Sequence, residues 1–111
     1  MTGLRGRVYG ADLGHGPKPW LVVSDNARNR VLDTVLAVRL TTTNLEHVAS
    51  AVKLKPADSP LAGWIRVDDL ERLYANELGG EWGALSGPTM REVDLTLHQV
   101  FGIRWCPAPA T

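Results

Sequence analysis

The chain of 111 residues has a single cysteine, Cys106. An internal disulfide is therefore excluded, and with it the stapled architecture of small secreted domains. It has no surplus of either charge, with 12 lysines plus arginines against 12 aspartates plus glutamates. Nucleic-acid binders usually carry a basic excess that neutralises phosphates, so any such affinity here must come from a local groove. No apolar run approaches the ~20 residues that span a bilayer. Residues 1–6 are polar and too short for a secretory core. These absences lead to the expectation of a cytoplasmic protein that does not touch membranes. The three histidines and Cys106 lack the paired spacing of zinc sites. Gly14-His15-Gly16 lacks the later glycine and the Gly-Lys-Ser/Thr ending of a phosphate loop. Neither a metal nor a nucleotide cofactor is expected.

What is present reads as a small β domain closed by one helix. The length sets one domain, placed at 1–103, with 104–111 as a flexible tail because Pro107 and Pro109 disfavour regular structure there. Residues 4–13, with Val8 and Tyr9, read as a first strand. Residues 14–19 hold two glycines and two prolines and read as a loop, since neither type suits a ladder interior. Trp20-Leu21-Val22-Val23-Ser24 is a buried strand. Residues 25–30 read as a turn or one short helical turn. Residues 34–43 are the strongest strand, with Val35, Leu36, Val38 and Leu40 followed by three β-branched threonines. Residues 47–54 form a half-exposed strand, and 55–60 a turn-rich loop. Residues 64–67 and 70–74 read as two short strands divided by Asp68-Asp69.

The last element is helical. Met90, Val93, Leu97, Val100 and Phe101 share one face. Thr89 and Glu92 fit a capping box, and Gly102 sits where a helix unwinds. Leu95 points away from the apolar stripe, which suits a partner contact. Several short strands followed by an amphipathic helix predict a mainly β fold, a small curled barrel with a helix across it.

The order of these segments resembles the MazF/PemK/Kid toxins. Arg5-Gly6-Arg7-Val8-Tyr9 with Asp12-Leu13 is similar to that family's opening RG-x-[VI]-[YW] and DL pair. Lys18-Pro19-Trp20-Leu21-Val22-Val23-Ser24 resembles its RP-x-[VL]-[VI]-[VL]-S strand, with Asn29 where an asparagine often follows. Leu40-Thr41-Thr42-Thr43 resembles its threonine-bearing strand end. Leu85-Ser86, Met90, Val93 and Phe101-Gly102-Ile103 resemble its closing helix. The likeness runs from Arg5 to Ile103. It implies an SH3-like β-barrel of the MazF/CcdB type, acting as a homodimer that cleaves single-stranded mRNA and is restrained by a cognate antitoxin.

RNA cleavage of this kind needs few protein groups, because the ribose 2′-OH is the nucleophile. The protein removes its proton, neutralises the phosphoryl oxygens and protonates the departing 5′-oxygen. Lys18 stands at the family's arginine position and is assigned the charge role. Lysine brings a point charge where arginine brings a planar fork. Thr41 matches the family's catalytic threonine, and its hydroxyl can orient a phosphate oxygen. Thr42 takes that role if the register is one residue off. His15 is the candidate base, being of the residue type that titrates near neutrality. Splayed bases need aromatic platforms, for which Trp20 and Trp64 are candidates, with Trp82 a further turn-flanking aromatic. Arg7 and Arg39 are candidates for the phosphate groove, along with Arg28 and Arg30. Asp69 is a candidate RNA contact because Asp68-Asp69 stands where the family often has Asp-Gln, so a carboxylate replaces an amide.

Two other readings compete. A gyrase poison of the CcdB type has a similar fold, and Phe101-Gly102-Ile103 resembles its closing triplet. An SH3-like binding module that has lost catalysis would fit the lysine substitution and the neutral charge.

Overall fold

The computed structural model describes residues 3–103, so Cys106 and the expected tail at 104–111 lie outside the described residues. The order is β1 (Arg7–Asp12), β2 (Pro17–Val22), α1 (Asn26–Leu32), β3 (Thr34–Thr41), β4 (Ala51–Lys53), β5 (Trp64–Tyr74), β6 (Glu81–Ala84) and α2 (Gly87–Val100), with one-turn 3₁₀ segments at Pro56–Asp58 and Ala75–Glu77. The six strands form one antiparallel sheet in the order β4-β5-β3-β2-β1-β6. The expected barrel is realised as a curled half-barrel, with β4 and β6 left as edges.

Both faces of the sheet are apolar, because side chains alternate along each strand. One face carries Val8, Leu21, Val38, Leu40, Ile65 and Val67, and α2 packs on it through Val93 with Met90 and Leu97 beside it. The other carries Tyr9, Ala11, Trp20, Val22, Val35, Ala37 and Leu73. Each large aliphatic among them contributes about 1.5–3 kcal/mol on burial. The two-sided pattern explains why Trp20-Leu21-Val22 is a continuous apolar run.

Buried polar groups lock the chain at two places. Asn29 is fully buried on α1. It accepts from Ser24 Oγ at 2.6 Å and from Arg28 Nη1 at 3.2 Å, and its amide donates to the Ser24 carbonyl at 3.1 Å. Ser24 Oγ in turn accepts the Leu36 amide at 2.9 Å. Asp58 is also fully buried and accepts from the Lys55 and Ser86 amides and from Thr89 Oγ1, at 2.7, 2.8 and 2.6 Å. Burial pushes this carboxyl up, but the hydrogen bonds from Ser86, Thr89 and Lys55 outweigh it and hold it below the usual carboxylate range.

Several boundaries differ from expectation. Residues 25–30 are the start of a seven-residue helix, capped by Asp25 Oδ2, which accepts from the Ala27 and Arg28 amides. The long strand stops at Thr41, and the strand read at 47–54 is only Ala51–Lys53. β5 is one strand of 11 residues, not two. Asp68-Asp69 forms an irregularity within it: Leu70 pairs with Val38 and Arg66 with Arg39, so Val67, Asp68 and Asp69 have no β3 residues opposite them. A bulge absorbs extra residues without ending the strand. β6 was not foreseen, because Glu81–Ala84 shows no apolar alternation as an edge strand. The N-cap of α2 is Ser86, whose Oγ accepts from Thr89. Thr89 instead spends its hydroxyl on Asp58, and Glu92 pairs with Lys55. The apolar stripe of α2 buries only its first half, since Val100 and Phe101 are exposed. Gly102 does end the helix in the left-handed region, at φ 64°.

Candidate active site

The cleft begins where β2 and β3 stop pairing. Their ladder matches Trp20 with Arg39, Leu21 with Val38 and Val22 with Ala37. The Val23 amide donates to the Leu36 carbonyl, so odd-numbered residues of β2 face β3 in hydrogen-bonded pairs. Pro19 is the next in that series, and it has no N–H to give Leu40. Its other neighbour is untroubled. Gly10, paired with Pro19, exchanges backbone bonds with Gly79 and Gly80 on the far side of β1. Pro17 and Pro19 therefore sit inside β2, contrary to the expected loop, because only the β3 side lacks a donor and that side is open.

Beyond this last pair, Lys18 and Thr41 continue the face that holds Trp20 and Arg39. With Thr42, Pro17, Pro19, Pro60, Leu61, Ala62 and Trp82, they line one cleft of about 450 Å³. Arg39 lines it too, and among the described residues neither Lys18 nor Arg39 forms an ion pair. Thr41 Oγ1 accepts the Thr43 amide at 3.2 Å, which leaves its hydroxyl proton free to donate. Gly63 backs this threonine at φ 108°, and a Cβ there would run into the Thr41 carbonyl. Close approach of backbone to backbone requires glycine at that point.

The remaining candidates scatter. His15 lies on the other side of Lys18, in an adjoining pocket that also holds Trp20, Arg39 and Asp69. Trp20 is a core residue at 5% exposure. Trp64 pairs with Thr41 in the ladder but faces a neighbouring depression, with the Lys53 amine 5.9 Å from its ring centre. Arg7 does not line the cleft. It bonds Glu81 at 2.9 Å, which raises its already high pKa. Arg28 is spent on the backbone and hydroxyl of Thr34.

Trp82, a turn-flanking aromatic by its sequence, lines the cleft from β6. It is 44% exposed, and its indole lies over Gly10, where a Cβ would meet Nε1. The small residue opposite an aromatic was the available signal, but it shows only once β6 is paired with β1. Among the described residues no group of three or more His, Cys, Asp or Glu could hold a metal ion.

A half-barrel whose cleft joins a cation without an ion pair among the described residues to a free hydroxyl, beside an exposed tryptophan, has the chemistry that suits a phosphodiester. Comparison with known proteins gives the family: residues 4–101 match the model of the PemK-like, MazF-like toxins of type II toxin–antitoxin systems, and the chain belongs to that family. It is 45% identical to Endoribonuclease MazF4 of Mycobacterium tuberculosis and, equally, to Endoribonuclease MazF1 of Mycobacterium bovis. Each alignment covers 92% of this chain and 95% of the relative. Among solved structures it resembles a mycobacterial endoribonuclease in complex with its cognate antitoxin, with a TM-score of 0.87, 44% identity and coverage of 94% and 99% of the two chains. A MazE-MazF complex from Deinococcus radiodurans, at 19% identity and TM-score 0.81, over 94% of this chain and 99% of that one, shares the fold. These relatives support the ribonuclease over the gyrase poison.

Proposed function

We propose that this toxin cleaves single-stranded mRNA at the Lys18–Thr41 cleft by attack of the neighbouring ribose 2′-OH, without a metal. A bond forms between O2′ and phosphorus, the bond to O5′ breaks, and the products are a 2′,3′-cyclic phosphate and a 5′-hydroxyl. The observation that carries this is the convergence of residues 18, 41 and 42, distant in sequence, on one cleft.

Lys18 neutralises the charge that builds on the phosphoryl oxygens and gives its proton to the departing O5′. Thr41 donates to a non-bridging oxygen and fixes the phosphate for in-line attack, with Thr42 at the rim. His15 takes the proton of the 2′-OH from the far side of Lys18. Trp82 offers a face on which one splayed base can stack, and Arg39 attracts the backbone. The toxin acts in the cytoplasm as a homodimer and is neutralised by an antitoxin protein. The antitoxin-bound relative supports the last point, and the exposed apolar side chains Val31, Leu32, Leu95 and Phe101 support association.

The test is to incubate the purified chain with a long RNA in EDTA and identify the ends chemically. Cyclic phosphate and 5′-hydroxyl ends are expected from the wild type, and far fewer cuts from Lys18→Ala and Thr41→Ala. Full activity in both variants would place the chemistry elsewhere.

A further inference from the structure

On the other side of Lys18 a second pocket of about 490 Å³ opens between the β1–β2 loop and β5. Its lining mixes opposite charges: His15, Lys18 and Arg39 with Asp69 and Glu71 of β5. Among the described residues none of these five side chains makes an ion pair or a side-chain hydrogen bond, so cations and carboxylates share the pocket without meeting.

The pocket's inner lining includes Trp20, 5% exposed, whose indole N–H is buried and has no acceptor among the described residues. Arg39, its ladder partner on the same face, likewise keeps its Nε–H buried and unpartnered. Each such orphan carries the desolvation cost of a donor left unmet. Native structures rarely tolerate them without a reason, and two at directly paired positions give the floor that a ligand would meet an electropositive character.

The lining restricts what that ligand can be. A phosphate would meet two carboxylates. An apolar group would leave every polar side chain unmet. A flat ring with donors along one edge and acceptors along another satisfies both kinds of charge. Resting on the reading of the neighbouring cleft as an RNA-cleaving site, we infer that this pocket is a base subsite that selects guanine. Guanine alone among the four bases presents two adjacent donors, N1–H and N2–H, which one carboxylate accepts with both oxygens. Its O6 and N7 are acceptors suited to a guanidinium. Lys18 lines both cavities, so the selected base lies next to the scissile phosphate. The Asp68-Asp69 bulge acquires a purpose on this view, because it carries an acceptor to the pocket wall where an amide would have brought a competing donor.

The experiment maps every cut the wild type makes in a long RNA of mixed sequence in EDTA. It then measures kcat/KM on a short oligonucleotide carrying guanine or inosine at the position found. Guanine is expected at one fixed offset from the cut. Inosine, which lacks only the N2 amino group, should lower kcat/KM about tenfold or more. In the Asp69→Asn, Glu71→Gln double variant the guanine-to-inosine ratio should fall towards one. If that variant does not fold, the inosine comparison on the wild type decides alone. Cuts with no guanine at a fixed offset, or a wild-type ratio near one, overturn the subsite and leave the cleavage reading standing. No cuts at all overturn the cleavage reading, and the subsite is then judged by fluorescence anisotropy, where equal affinity for guanine and inosine oligonucleotides sinks it.

Discussion

The two ends of the β2–β3 pairing follow opposite rules. At the end near α1 each inward polar group is satisfied: Ser24, Asn29 and the Leu36 amide bond one another, and Arg28 closes over Thr34. At the other end Pro19 halts the ladder, Lys18 and Thr41 splay into a cleft, and the Trp20 and Arg39 N–H groups find no acceptor. A closed polar network rigidifies, whereas unmet donors are costly unless a ligand meets them. Satisfied and unmet polar groups are thus divided along a single pair of strands.

Four changes would break or sharpen this contrast. The largest effect is expected at the open end. Lys18→Ala should lower RNA cleavage about 100- to 1000-fold, the usual loss when one charge-stabilising donor is removed, with little change in the urea midpoint. At the closed end Asn29→Ala should do the reverse. It removes a fully buried hub and should cost about 3 kcal/mol in urea unfolding, while cleavage per folded molecule changes by less than about twofold. A large cleavage defect in Asn29→Ala with normal stability would dissolve the division.

Asp58 holds the 3₁₀ turn that leads to Pro60–Ala62, the outer wall of the cleft, against the start of α2. Its pKa is lowered on folding, so its contribution to stability is fully present above about pH 4, the unfolded carboxylate's range. That contribution is lost as pH falls through the lowered folded value. Asp58→Asn should destabilise at pH 7 and flatten the acid limb of stability, measured by thermal unfolding between pH 2 and 7. The smallest effect belongs to Pro19→Ala, which returns the missing donor. The new hydrogen bond and the greater freedom of the unfolded chain nearly cancel, so stability should move by less than about 0.5 kcal/mol. Hydrogen exchange should show a protected amide at residue 19, and cleavage should fall about tenfold as the cleft narrows, a barrier change of about 1.4 kcal/mol. An unprotected amide there would remove proline's role in opening the strands.

The apolar runs of β2 and β3, buried on both faces, and the Met90–Val93–Leu97 stripe were legible in the sequence, because side-chain period and burial follow directly from strand and helix geometry. So was the gathering of residues 18, 41 and 42, although resemblance to a family carried it and not periodicity. β6 was not legible, since an edge strand has only one neighbour and little need for alternation. The helix cap was misread because Thr89 has two possible uses, and only the position of Asp58 selects one of them.

By itself, the sequence determined which residues must be buried and where glycine and proline forbid ordinary pairing, as these are properties of single residues and short periods. Tertiary structure alone decided which polar groups meet. Asp58 reaches α2 across 28 residues or more, Gly10 makes room for Trp82, and Asp69 and Arg39 line one pocket. Hydrogen bonds and charges act over a few ångströms in space, a distance that spacing along the chain does not fix.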